Sequence, residues 1–154
     1  MFKQFALLAT LLTAILLAGC NDDYGLDQHG QKVGAAALDK QWLVINYWAQ
    51  WCGPCRTEIP EMNKLSEQLK GQGDHVIGVN FDNLKGDNLK QASEALGIRF
   101  TVLADDPAPR FDLPASEALP VTYIIDPQGK VREQLAGEQT AAGVAARLAE
   151  LKKS

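Results

Sequence analysis

The chain has 154 residues, enough for one domain with its own hydrophobic core. Lysine and arginine number 15 against 19 aspartates and glutamates, a net charge of −4. No basic patch stands out, which argues against nucleic acid as a partner.

The chain opens on a targeting pattern. Met1-Phe2-Lys3-Gln4 carries one positive charge. Phe5 to Leu17 is apolar apart from Thr10 and Thr13, and Leu17-Ala18-Gly19-Cys20 closes the run on small residues. This is a secretory signal pattern. A helix over that run spans about 20 Å, short of the roughly 30 Å hydrocarbon core, which disfavours a bilayer-spanning helix. Leu17-Ala18-Gly19-Cys20 also resembles the lipobox of bacterial lipoproteins. That resemblance implies cleavage before Cys20, a diacylglycerol on its thiol, and acylation of the new amino group. Several acyl chains anchor a protein stably, since two hydrophobic signals suffice. The expected division is a signal peptide over 1–19, the lipidated Cys20 with a polar tether over 20–29, and a folded domain over 30–154. The mature chain would carry 14 basic against 19 acidic residues, a net charge of −5. With Cys20 lipidated, Cys52 and Cys55 are the only pair left, no odd thiol is exposed to an oxidising compartment, and stability must come from the core.

Beyond the tether, Gly30 is placed to turn a small hairpin. Trp42 to Tyr47 is a continuous apolar, aromatic and β-branched run, the pattern of a buried strand. Ile59, Met62, Leu65 and Leu69 then recur every three or four residues, which predicts a helix from Pro54 to Lys70, stopped at Gly71-Gln72-Gly73. A second strand is predicted over Val76–Phe81, a short helix over Asn88–Leu96 ended by Gly97, and a third strand over Phe100–Leu103. Asp105-Asp106-Pro107-Ala108-Pro109 reads as loop. A fourth strand over Val121–Ile125, a turn at Asp126–Gly129, a fifth strand over Lys130–Leu135 and a helix over Thr140–Leu151 complete the order. Strand–helix alternation followed by a hairpin implies an α/β fold, a mixed sheet flanked by helices on both faces.

Trp51-Cys52-Gly53-Pro54-Cys55 sits where the first strand delivers the chain to a helix N-terminus. Unpaired N–H groups and the positive end of the helix dipole gather there and stabilise a thiolate, the reactive form of cysteine. Cys52 is nearest the helix start and is expected to be the exposed attacking thiol. Cys55, one turn deeper, is placed to resolve the mixed disulfide. Pro54 suits the first helical turn, where its missing N–H is not needed. Trp51 is expected to shield Cys52. Zinc would require two further ligands, and His29 and His75 are isolated, so no metal or other cofactor is expected. Arg56 follows the pair where c-type haem attachment would need histidine. Glu58 lies on the same helix face as Cys55 and could shuttle its proton or raise its pKa. Asn46 is the polar residue inside the first buried strand, either a bonded core amide or a group that orients the site.

Asn46 to Pro60 resembles the active-site segment of the thioredoxin superfamily, most closely its membrane-tethered TlpA/ResA branch. The likeness continues through Val76–Asp82, Phe100–Asp105 and Leu119-Pro-Val-Thr-Tyr-Ile-Ile-Asp-Pro-Gln-Gly-Lys130, and covers most of the chain from about Gly30 to Leu151. It implies a thioredoxin-like fold in which Cys52 is the nucleophile and Cys55 the resolving cysteine of a redox-active disulfide. It implies that Pro120 is a cis-proline against the pair, with the backbone of Leu119 pairing with an extended substrate and Trp51 beside it. Glu58 matches the acidic residue this branch carries after the motif, and Asn46 stands where general thioredoxins have a buried aspartate. Leu119 departs from the glycine often found there, and Gly34–Leu38 is plainer than the usual hairpin. The implied function is a protein-disulfide reductase on the periplasmic side of the bacterial envelope, the inner membrane favoured. Its partners would be disulfide-containing or thiol proteins and a membrane electron donor, with cytochrome c maturation or general thiol repair as its role. A thiol oxidase or isomerase running the other way, and a metal-binding thiol module, are the alternatives.

Overall fold

The computed structural model describes residues 23–154; the expected signal peptide and Cys20 lie outside them. The strands are β1 (Leu43–Trp48), β2 (His75–Asn80), β3 (Thr101–Leu103), β4 (Val121–Ile125) and β5 (Val131–Ala136). The helices are α1 (Ala35–Leu38), α2 (Gly53–Leu69), α3 (Gly86–Ala95), α4 (Ala108–Phe111) and α5 (Ala141–Leu151). One mixed sheet runs in the order β3-β2-β1-β4-β5. β1 and β2 pair in parallel, as do β2 and β3, whereas β4 is antiparallel to both β1 and β5.

Every residue of β1 is buried, as a central strand covered on both faces requires. Val44 and Trp48 point into one core with Met62 and Leu65 of α2, Leu89 of α3 and Val144 and Leu148 of α5. Leu43, Ile45 and Tyr47 point into the other, with Tyr24, Leu38 of α1 and Phe111 of α4. The expected two-faced cover is present but unequal: three long helices on one side, two single turns and the N-terminal segment on the other. Each large apolar side chain so buried contributes about 1.5–3 kcal/mol. α2 runs through Pro60 and buries Ile59, Met62, Leu65 and Leu69, the periodic residues.

Two expectations are corrected. The polar segment read as tether is folded into the domain from residue 23 onward. Gln28 lies against the outer strand β3: its Nε2 donates to the Phe100 carbonyl (3.0 Å), and its Oε1 accepts from the Val102 amide (2.8 Å). Ala104 N–H donates to the Leu26 carbonyl (2.8 Å), so residues 26–28 cover an edge that would otherwise expose unpaired backbone groups. Tyr24 stacks with Phe111 at 6.3 Å between ring centroids and donates its hydroxyl to Asp39. Polar composition concealed this because the work is done by one tyrosine and one glutamine. The expected hairpin at Gly30 is present, with Leu26 bridged to Lys32. The second correction is α4, a helical turn that begins within the segment read as loop and runs two residues past it; its prolines fall at the start, where a missing donor costs nothing.

Gly78, the glycine of β2, is closely packed. A Cβ there would lie 2.9 Å from both Phe100 Cε2 and Val102 Cγ2 and 3.2 Å from Trp48 Nε1. Gly78→Ala is expected to lower stability by about 1–3 kcal/mol through overpacking, read by urea unfolding. An unchanged midpoint would show that these side chains yield freely.

Candidate active site

β1 ends at Trp48, and four residues later Cys52 caps the N-terminus of α2. Cys52 and Cys55 form a disulfide with Cα atoms 5.3 Å apart. The Cys55 N–H donates to Cys52 Sγ at 3.2 Å. This donor belongs to the first helical turn and is aimed where a Cys52 thiolate would carry its charge. The expectation that Cys52 is exposed is corrected: it is 4 % accessible and Cys55 0 %. In the disulfide form both sulfurs are drawn into the core beneath the motif, and the accessible group at this place is Trp51, 64 % exposed.

Trp51 does not simply lie over the pair. Its indole N–H donates to both carboxylate oxygens of Asp82 at 3.0 and 3.1 Å, and its ring meets Phe81 edge to face at 6.3 Å. Phe81 is itself 48 % exposed, so an aromatic pair flanks the motif at the surface.

Under the motif lies a buried polar cluster. Asn46 and Thr122 are opposite each other on β1 and β4. Asn46 Nδ2 donates to Thr122 Oγ1 (3.1 Å) and to Glu58 Oε2 (2.8 Å). The second Glu58 oxygen accepts from the Gln139 backbone N–H at 3.1 Å. Glu58 is 1 % accessible, and burial pushes its carboxyl up to about 7; the bonds from Asn46 and Gln139 oppose that rise and Glu138 adds to it. Glu61, one turn along α2, accepts from the Ala141 N–H at the start of α5. Two carboxylates of α2 therefore hold the entry to α5.

Pro120 follows a cis peptide bond from Leu119, as the resemblance implied. Leu119 is partly buried and packs against the core cluster that contains both cysteines. The structure thus brings Trp51, Cys52, Cys55, Glu58, Leu119 and Pro120 to one end of the sheet, while Cys20 lies outside the described residues. Among those residues no group of three or more His, Cys, Asp or Glu side chains could hold a metal ion. Sequence reasoning missed Asp82, Phe81, Thr122 and the Gln139 amide. Phe81 and Asp82 follow directly on β2 and carried a legible signal, since they continue a strand whose C-terminal end meets the motif.

Residues 17–134 match the AhpC/TSA family. The chain is 32% identical over 114 residues to the thiol-disulfide oxidoreductase ResA of Bacillus thuringiensis (strain Al Hakam), covering 74% of this chain and 65% of that protein. It therefore spans just under two thirds of that relative's length. It is 28% identical over 140 residues to ResA of Geobacillus thermodenitrificans (strain NG80-2), covering 90% and 80%. Among solved structures, a thioredoxin-family thiol:disulfide interchange protein from Chlorobium tepidum TLS shares the fold with a TM-score of 0.67 and 25% identity, over 79% of this chain and 87% of that one. A DsbF homologue from Corynebacterium diphtheriae gives a TM-score of 0.69 at 23% identity, over 82% of each. With its mixed five-stranded sheet, its disulfide at the head of α2 and a cis-proline just before β4, the chain belongs to the AhpC/TSA family and has a thioredoxin-like fold.

Proposed function

We propose that this protein is a thiol–disulfide oxidoreductase that reduces disulfides of partner proteins. The observation that carries the proposal is the Cys52–Cys55 disulfide at the N-terminus of α2, with the Cys55 N–H directed at Cys52 Sγ. The likeness to the ResA relatives supports the same chemistry. In the reduced protein the Cys52 thiolate attacks one sulfur of the partner's disulfide. A bond forms from Cys52 to that sulfur and the other leaves as thiolate. Cys55, deprotonated, then attacks Cys52 Sγ, releases the partner's second thiolate and regenerates the Cys52–Cys55 disulfide. Two electrons have passed to the partner. Glu58, three residues beyond Cys55 and with a carboxyl pushed toward neutrality, is the group suited to take the Cys55 proton. Trp51, Leu119 and Pro120 form the surface on which the partner's extended segment lies.

The proposal includes a setting: lipid anchoring through Cys20, the periplasmic face of a bacterial membrane, the inner membrane favoured, and recharging by a membrane thiol donor. The sequence pattern over 1–22 supports it, with Asn21 and Asp22 after the lipobox cysteine. Cytochrome c maturation or general thiol repair is the corresponding role.

The reduction potential of Cys52/Cys55, set by equilibration of the mature protein against thiol buffers, tests the direction. The expected value is near that of thioredoxin, about −270 mV. A value near that of DsbA, about −120 mV, would make the protein an oxidant and reverse the assignment.

A further inference from the structure

We propose that the cavity beside Leu119 is a specificity subsite that takes a bulky uncharged side chain next to the reacting cysteine of a partner polypeptide. This rests on the thiol–disulfide reading above. The cavity, about 370 Å³, opens between the end of β2, the start of β4 and the loop that follows Asp106. Neither cysteine lines it, but two of its walls lead toward the motif. Phe81, on its wall, meets Trp51, the neighbour of Cys52. Leu119, also on its wall, packs against the cluster that contains Cys52 and Cys55. A segment lying on Leu119 with its cysteine at Cys52 therefore passes the mouth.

The lining defines the occupant. The rings of Tyr47 and Tyr123, 5.7 Å apart and edge to face, are buried at its base. Both hydroxyls are already engaged, Tyr47 donating to Asp106 Oδ1 and Tyr123 to the Pro114 carbonyl, each at 2.5 Å. The base thus offers ring carbon to an apolar group. Among the described residues that line it, Asp106 is the one charged side chain, which repels a carboxylate. Asp106 Oδ1 already accepts from the Tyr47 hydroxyl and the Ala108 N–H, and an ammonium group drawn over the aromatic base would lose its water. The cavity therefore favours a large apolar residue over glycine, and glycine over an acidic residue.

The test uses the mature full-length Cys55→Ser protein in detergent, so that Cys52 acts alone. Each peptide carries one cysteine as a mixed disulfide with 5-thio-2-nitrobenzoate, and the series differs only in the residue flanking that cysteine, on one side and then the other. Cys52 thiolate attacks the peptide sulfur, the Cys52–peptide disulfide forms, and thionitrobenzoate leaves as a coloured thiolate. The readout is an exchange rate and does not depend on the direction of electron flow in the cell. Phenylalanine or leucine is expected to react about tenfold faster than glycine, the size of a partly buried side chain's transfer into apolar surroundings. Aspartate is expected to be slower than glycine. Ala108→Phe, on the cavity wall, is expected to bring the phenylalanine-to-glycine ratio close to one. Ala115→Trp, at an exposed wall position, repeats the test should the first substitution disturb folding. Equal rates for phenylalanine and glycine, a lysine peptide faster than phenylalanine, or a ratio that survives both substitutions would overturn the subsite. Failure of every peptide to exchange would instead remove the thiol–disulfide reading, and the subsite with it.

Discussion

Cys52→Ser is expected to abolish disulfide exchange, and Cys55→Ser to halt it halfway. The two thiols differ in place, and the difference decides their fates. Cys52 caps α2 and is approached by the Cys55 N–H, so an anion at its sulfur gains a helix-terminal donor. Serine at that place has an ordinary alcohol's reluctance to ionise and forms no sulfur–sulfur bond. Turnover of a disulfide substrate should fall at least a thousandfold, to the uncatalysed background, since the covalent step itself is gone. Cys55 is fully buried one turn further on and meets the mixed disulfide from within. Without it, Cys52 still attacks, but the adduct cannot resolve. Mass spectrometry under non-reducing conditions should show the Cys55→Ser protein joined one-to-one to a partner or peptide and the Cys52→Ser protein bare. The reverse pattern, with adducts on the Cys52→Ser protein, would exchange the two roles.

How much of this could be read from the residues differs from element to element. β1, α2, β2, β4 and α5 have strong hydrophobic periods, and the structure places each within a residue or two of its expected bounds. The cysteine pair was legible because strand, turn and helix start are all local signals. The partners of Glu58 were not. Thr122 meets Asn46 across 76 positions, and the Gln139 amide meets Glu58 across 81. Such contacts exist only once β4 has docked antiparallel to β1 and α5 has packed on α2. The spacing from Cys55 placed Glu58 on the right helix face but could not tell a solvated carboxylate from one that is 1 % accessible. The same holds for Gln28, whose polar neighbours look like a linker until β3 supplies an edge for it to cover. The burial of Cys52 was likewise out of reach, since it depends on how closely the cap packs against the core cluster formed by distant elements.

Glu58→Gln is expected to change how stability varies with pH. In the folded protein burial pushes the Glu58 carboxyl up to about 7, whereas its ordinary value is 4.5. Between those two values the folded state keeps a proton that the unfolded chain releases. Stability therefore falls as pH rises through this window, and the loss is complete above about 7. A difference of that size corresponds to about 3 kcal/mol. Glutamine carries no charge, so its variant lacks this contribution. It keeps an oxygen for the Gln139 N–H but sets an amide nitrogen against Asn46 Nδ2, unless Asn46 turns its Oδ1, which has no partner, toward it. The Thr122 hydroxyl can then donate to that oxygen, but Asn46 Nδ2 is left buried where Oδ1 now has no partner, which offsets part of the gain. At pH 8 the variant should be about 1–3 kcal/mol more stable than the parent, and below pH 5 equal or slightly less stable. Urea unfolding of both proteins with the disulfide intact, compared at each pH, isolates this one group, because every other titration cancels in the difference. Parallel stability curves would show that Glu58 ionises in the folded protein as it does in water. If Glu58 also takes the proton of Cys55, the variant that gains stability must lose speed in resolving the mixed disulfide. The loss should be about a hundredfold, the usual scale of a positioned acid–base group. A gain in stability with resolution unslowed would confine Glu58 to the structural tie between α2 and the loop before α5.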